Sequence, residues 1–150
     1  STINIEKAGS LTLNSKRDKY YVNQVSTING KSSFSYLTIK SFQSDLTLNS
    51  DYGEVSLEEI NPEFKLIDLT SSYTDLVIKL PAKASYAVDI SHSSATVITA
   101  PESYSGLKSE IVDKKTDLYR TQGTAGNGIL KKGKVSIKCK SGKITFREGF

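Results

Sequence analysis

The sequence predicts an all-β chain folded as a right-handed β-solenoid of about 21-residue coils, with a β-sandwich as the alternative. Three observations predict it. A twelve-residue unit recurs as LTLNSDYGEVSL from Leu46, IDLTSSYTDLVI from Ile67 and VDISHSSATVIT from Val88, with starts 21 residues apart, and again as VSIKCKSGKITF from Val135. Such a period is the sequence sign of stacked repeats. Within each unit, apolar residues alternate with polar ones, as a half-buried strand requires, and Ser, Thr, Val, Ile and Tyr dominate. No window keeps apolar residues at helical spacing for three turns.

The elements follow in order. Ile3–Ile5 and Leu11–Leu13 read as two short strands joined by a turn at Ala8-Gly9. Lys16-Arg17-Asp18-Lys19 reads as a turn, and Asn29-Gly30 as a tight turn, because both of its residues tolerate positive φ. From Phe34 the alternation is continuous. In the first full copy Leu46 and Leu48 face one way, Asp51-Tyr52-Gly53 makes the corner, and Val55 and Leu57 form the second arm. Glu58–Phe64 connects to the second copy, whose corner is Ser72-Tyr73-Thr74 and whose ladder stops at Pro81. The third copy ends before Pro101. Residues 102–130 form an irregular, loop-rich insertion with short strands at Ile111-Val112 and Leu118-Tyr119 and a mobile glycine-rich loop over Thr121–Gly128. Residues 131–150 return to alternation and are expected to be the closing coil of a single domain spanning 1–150.

Stacking the copies one strand spacing apart would align Leu46, Ile67 and Val88 in one inward file and Val55, Leu76 and Val97 in a second. Tyr52 and Tyr73 would make an aromatic step at the corner. The small eighth residue of each copy (Gly53, Thr74, Ala95, Gly142) suits a place where neighbouring coils approach closely. Such a stack requires Leu46 beside Ile67 and Ile67 beside Val88, in parallel register.

The 150 residues are most simply one domain. No apolar run approaches the roughly 18 residues of a membrane span. The single Cys139 excludes an internal disulfide and a cysteine metal cluster. The net charge of +4 is unevenly spread: residues 1–130 hold 13 basic and 15 acidic side chains, residues 131–150 hold 7 and 1. The basic cluster is Lys131, Lys132, Lys134, Lys138, Lys140, Lys143 and Arg147. Lys134, Lys138 and Lys140 alternate with Val135, Ile137 and Cys139, so they line one outward face, the candidate ligand-binding face for an acidic polysaccharide or anionic lipid headgroups. On a terminal coil the same lysines would guard an open edge. Nucleic acid is not expected, because no recognisable module and no interleaved aromatics accompany the charge.

No catalytic constellation stands out. His92, the single histidine, occupies the fifth place of its copy, where Ser50, Ser71 and Cys139 stand in the others, and reads as a hydrogen-bonded corner residue. Ser91, Ser93 and Ser94 lie beside it without a GxSxG elbow. Asp68 and Asp89 share the second place of their copies and would stack on the outer face as solvated acids. No calcium-loop pattern occurs, so no metal or cofactor is expected. Cys139 is expected to be buried and inert. Tyr20, Tyr21, Tyr104 and Tyr119 would matter as sugar-stacking residues only if they cluster.

The run Ser71-Ser72-Tyr73-Thr74-Asp75-Leu76-Val77-Ile78-Lys79-Leu80-Pro81 followed by Ala84-Ser85-Tyr86, with Gly133–Ile137 and Gly142–Phe146 near the end, resembles the putative adhesin domain family of bacterial envelope proteins. The resemblance spans about residues 35–147 and is strongest over 67–101. It implies a β-helical fold, export with removal of a signal peptide, an extracytoplasmic location and no established catalytic residues. The expected function is therefore a non-enzymatic cell-surface or periplasmic binding or structural module. Its partners would be a surface glycan, an acidic polysaccharide or a protein. The alternatives are a polysaccharide-acting enzyme on the same scaffold and an architectural spacer.

Overall fold

The computed structural model describes residues 2–81, 85–101, 106–125 and 131–149, and these are all-β. Nine strands follow one another: β1 (Thr2–Lys16), β2 (Lys19–Ile60), β3 (Leu66–Pro81), β4 (Ser85–His92), β5 (Thr96–Thr99), β6 (Lys108–Asp113), β7 (Leu118–Ala125), β8 (Lys131–Cys139) and β9 (Gly142–Gly149). They form one mixed sheet in the spatial order β1-β2-β3-β8-β4-β7-β6, with β9 beside β3 and β5 beside β9. β2 carries the chain through corners without a break, and bonds such as Asn61 N–H to the Phe42 carbonyl (2.8 Å) tie its successive passes together.

The expected parallel register is present between the first two copies: Leu46 pairs with Ile67, Leu48 with Leu69 and Val55 with Leu76. Ile67 does not pair with Val88. It pairs with Val135, and Val135 pairs in turn with Val88. The fourth copy is therefore no closing coil. It is inserted between the second and the third, and the array ends instead in the antiparallel hairpin β6–β7, laid against β4. A parallel ladder accepts any strand of matching alternation, so order along the chain need not be order in space.

Glycine and aromatic side chains make that insertion fit. Phe64, in the connection leading into β3, and Tyr86 of β4 are fully buried, and their rings stack with centroids 5.1 Å apart although β8 passes between β3 and β4. They meet because the residue between them is Gly133. A Cβ there would lie 2.7 Å from the Phe64 ring. A side chain at this position would hold the rings apart.

Both arms of the copies deliver apolar side chains to one core. The second inward file is Val55, Leu76, Ile144 and Ile98, because Ile98 and not Val97 pairs with Ile144. Val97 is 56% exposed. The third corner holds one extra residue: Ser71 precedes Thr74 by three places, whereas His92 precedes its counterpart Thr96 by four. The equal 21-residue spacing hides this slip, and one residue reverses the facing of every later side chain in the arm.

Corners carry two kinds of column. On the inside, Ser15, Ser32, Ser50 and Ser71 are buried in register, continued by Cys139 and His92. Ser32 Oγ donates to Ser50 Oγ (3.2 Å), and Thr74 Oγ1 donates to the Ser50 carbonyl (3.0 Å). On the outside, Phe34, Tyr52 and Tyr73 take left-handed φ of 51°, 56° and 50°, and their rings stack at 4.9 and 5.0 Å. The expected step of two tyrosines is thus a ladder of three rings, with the Arg17 guanidinium 6.0 Å from the Phe34 centroid. Gly53 lets successive passes of β2 approach closely, since a Cβ there would sit 2.0 Å from the Ser35 carbonyl oxygen.

Ser71 Oγ is buried without a hydrogen-bond partner. Ser71→Ala is therefore expected to leave stability within about 0.5 kcal/mol of wild type, while Ser50→Ala, which removes the acceptor of the buried Ser32 hydroxyl, costs about 1–2 kcal/mol. Urea midpoints of the two variants check this, and an equal loss in both would refute it.

Several sequence expectations change. β1 runs straight through Gly9, where no turn forms, and Asn29-Gly30 lies inside β2 beside Thr12-Leu13. Thr121–Ala125, expected as mobile loop, is strand paired with β4, while residues 126–128 of that loop lie outside the described residues. The strands at Ile111-Val112 and Leu118-Tyr119 form as expected, within β6 and β7.

Candidate functional site

The seven basic residues do not share one face. Lys134 and Lys138 point outward from β8, beside Leu66 and Ala87 and beside Thr70 and Ser91 respectively. Lys140 sits at the following corner, where its N–H donates to the Ser71 carbonyl. Lys143 and Arg147 lie beyond that corner on β9, beside Val97 and Lys79. Lys131 and Lys132 begin β8, and their side chains lie outside the described residues. The alternation assigns the outward side of each strand correctly, but the corner at Ser141 divides the charge between two faces. With β8 internal, these lysines guard no edge.

The stacked carboxylates are also absent. Asp68 and Asp89 both pair with Ser136, so they stand on opposite sides of it. Arg120 grips Asp89 with two bonds, Nε to Oδ1 at 3.0 Å and Nη2 to Oδ2 at 2.7 Å. The hydrogen bonds from Arg120 hold the Asp89 carboxyl below the usual range, with Lys134 helping by its charge. The bridge therefore adds stability above the ordinary carboxylate pKa, and this is lost as pH falls through the lowered value. Among the described residues no group of three or more His, Cys, Asp or Glu could hold a metal.

His92 is engaged on both ring nitrogens. Nε2 lies 2.8 Å from Thr121 Oγ1 and Nδ1 lies 3.0 Å from the Ser93 carbonyl, while the ring stacks on Tyr119 at 5.9 Å. A carbonyl only accepts, so Nδ1 carries the proton and Nε2 accepts from Thr121. The adjacent serines are committed elsewhere. Ser93 Oγ donates to the Lys140 carbonyl, and Ser94 Oγ donates to Asp117 (2.9 Å). His92 is a corner residue whose hydrogen bonds are satisfied, as expected. A shallow cavity of about 330 Å³ adjoins it. Cys139 is buried, also as expected.

Tyr20, Tyr21 and Tyr119, which would matter for sugar stacking only if they clustered, do not form one cluster. Tyr20 packs against the core, Tyr21 is exposed, Tyr119 covers His92, and Tyr104 lies outside the described residues. The aromatic cluster that does form is Phe34–Tyr52–Tyr73, in which Tyr52 spends both ring faces on its neighbours.

A groove of about 730 Å³ lies beside the second-arm strands. Ser56, Val77, Lys79 and Arg147 line it from the second-arm strands, and the outward bend Glu58–Pro62 walls it. Asn61 Nδ2 donates to Gln43 Oε1 (2.8 Å), Gln43 Nε2 donates to Ser41 Oγ (3.0 Å), and the Glu63 N–H donates to Asn61 Oδ1 (2.9 Å). Both amides are thereby fixed in orientation. Lys79 and Arg147 are register partners on adjacent strands, and no ion pair to either is recorded among the described residues. In the sequence only Arg147 of this group is a candidate. The signal for the rest is the proline-interrupted bend at Glu58–Pro62, which reads there as a simple connection.

No family model matches the chain, and no curated protein matches it. Among solved structures, the crystal structure of a putative cell adhesion protein from Clostridium sporogenes is similar over 99% of this chain and 91% of that one, with a TM-score of 0.44 and 11% identity.

Proposed function

We propose that the chain is a right-handed β-solenoid acting as a non-enzymatic, extracytoplasmic binding module of the adhesin kind. The coil reading is supported by parallel pairing of whole two-arm copies, with Leu46 on Ile67 on Val135 on Val88, and by the continuous serine and aromatic columns at the corners. A non-enzymatic role is supported by the engagement of the titratable candidates: His92 is bonded on both nitrogens and Asp89 is held by Arg120.

The observation that carries the binding role is the groove at Lys79 and Arg147, a preformed concavity with fixed amides and two outward cations. Binding sites are typically concave and largely pre-formed. Purified chain immobilised on beads is expected to retain whole cells or cell-wall polysaccharide saturably, and fractionation of a native host is expected to place the protein outside the cytoplasmic membrane. A blank result over a broad panel of cells and glycans removes the adhesin role, and a cytoplasmic location removes the envelope role.

A further inference from the structure

We infer that the groove binds a carboxylated saccharide, with Lys79 and Arg147 clamping the carboxylate of a uronic-acid residue. The inference rests on the reading of the chain as a binding module and names the ligand class for its groove.

The argument starts from an apparent cost. Lys79 and Arg147 are direct neighbours across a parallel ladder, about 4.8 Å apart by strand spacing. Like charges so placed repel and destabilise a sheet. Neither has an ion pair recorded among the described residues, although elsewhere on the surface Asp89 and Arg120 do pair. Two cations held side by side at the wall of a concavity match the two oxygens of one carboxylate, which a guanidinium and an ammonium can share.

The rest of the lining fits a sugar. The Asn61–Gln43–Ser41 chain uses one N–H of the Gln43 amide and the acceptor side of the Ser41 hydroxyl, so the second amide N–H and the rotatable Ser41 O–H can donate to a ligand. Val77, Pro62 and Pro81 supply apolar surface for the C–H faces of a pyranose ring. The charge balance favours a singly charged group. Glu58 and Glu59 also line the groove, so its formal charge with Lys79 and Arg147 is neutral, and a doubly charged phosphate would meet two carboxylates. The face carrying Lys134 and Lys138 lacks this setting, because those lysines lie four residues apart on one strand and are not register partners across a ladder.

Calorimetric titration of the whole chain with an oligogalacturonide, and with its carboxyl-reduced counterpart, tests the assignment at low salt. The acid is expected to bind, and the reduced sugar to bind about tenfold more weakly or worse. Lys79→Gln and Arg147→Gln should each weaken the acid about tenfold, while Lys134→Gln with Lys138→Gln leaves it unchanged. Thermal melts confirm that the variants fold. On the unmodified protein, amide signals of Ser56, Val77 and Lys79 should shift on titration, a readout that needs no variant. Equal binding of the reduced sugar, dependence on Lys134 and Lys138 instead, or tighter binding of a sulfated oligosaccharide overturns the carboxylate assignment. If the chain retains cells or neutral glycans yet ignores uronates, this inference fails and the binding role stands. If it retains nothing, both fail.

Discussion

Gly53→Val is expected to destabilise the chain by about 3 kcal/mol or more, the upper end of the range for overpacking. The Cβ it introduces falls 2.0 Å from the backbone oxygen of Ser35, and that oxygen belongs to a paired coil that cannot move alone. Gly133→Val should do comparable damage by another route. Its Cβ meets the Phe64 ring at 2.7 Å and the Phe64 carbonyl at 2.8 Å, prying Phe64 from Tyr86 and unseating β8. Gly9→Ala is the control: nothing lies within 4 Å of its new Cβ, so it should be neutral or stabilise slightly by restricting the unfolded chain. Urea unfolding of the three variants decides. A Gly133→Val protein as stable as Gly9→Ala would mean that β8 does not run between Phe64 and Tyr86.

The second large effect belongs to Tyr86. Its hydroxyl donates to the Pro81 carbonyl at 2.8 Å from a fully buried ring. Burial pushes the phenol pKa from 10.0 up to about 12. Tyr86→Phe keeps the stack on Phe64 and removes the bond, so it should cost about 1–3 kcal/mol at neutral pH by stranding a buried acceptor. The alkaline behaviour then separates the two proteins. Because the native phenol keeps its proton to higher pH than the unfolded one, the stabilisation is complete below pH 10 and is lost as pH rises through about 12. A shift of about two units corresponds to roughly 2–3 kcal/mol. The stability difference between wild type and Tyr86→Phe should therefore shrink between pH 10 and 12. A difference that stays constant across that window would show that Tyr86 is not buried as a neutral donor.

Much of the fold is legible in local pattern. The repeat announces parallel two-arm units, and Leu46, Ile67, Val55 and Leu76 fall into register as their alternation requires. The corner glycines Gly53 and Gly142 and the Tyr52–Tyr73 step are legible too, because they recur at fixed places in the repeated unit. The third corner misleads, since Ala95 and Thr96 are both small and the pattern cannot tell which occupies the tight place. Thr96 does, and Ile98 rather than Val97 turns inward. The candidate site is less legible than the fold. Arg147 and Lys79 are 68 residues apart and belong to different copies, so their pairing depends on which coil stacks on which.

The sequence by itself determined the strand content, the inward and outward sides of most arms and the polar columns at the corners. These follow from side-chain chemistry at period two within one copy, and a parallel ladder reproduces them whichever copy lies next door. The tertiary structure alone decided the order of stacking. Backbone hydrogen bonds between copies of equal alternation are nearly equivalent, so side-chain volume makes the choice. Gly133 is small enough to lie between Phe64 and Tyr86, and that places the fourth copy between the second and third. The same placement sets Arg147 beside Lys79 and creates the groove.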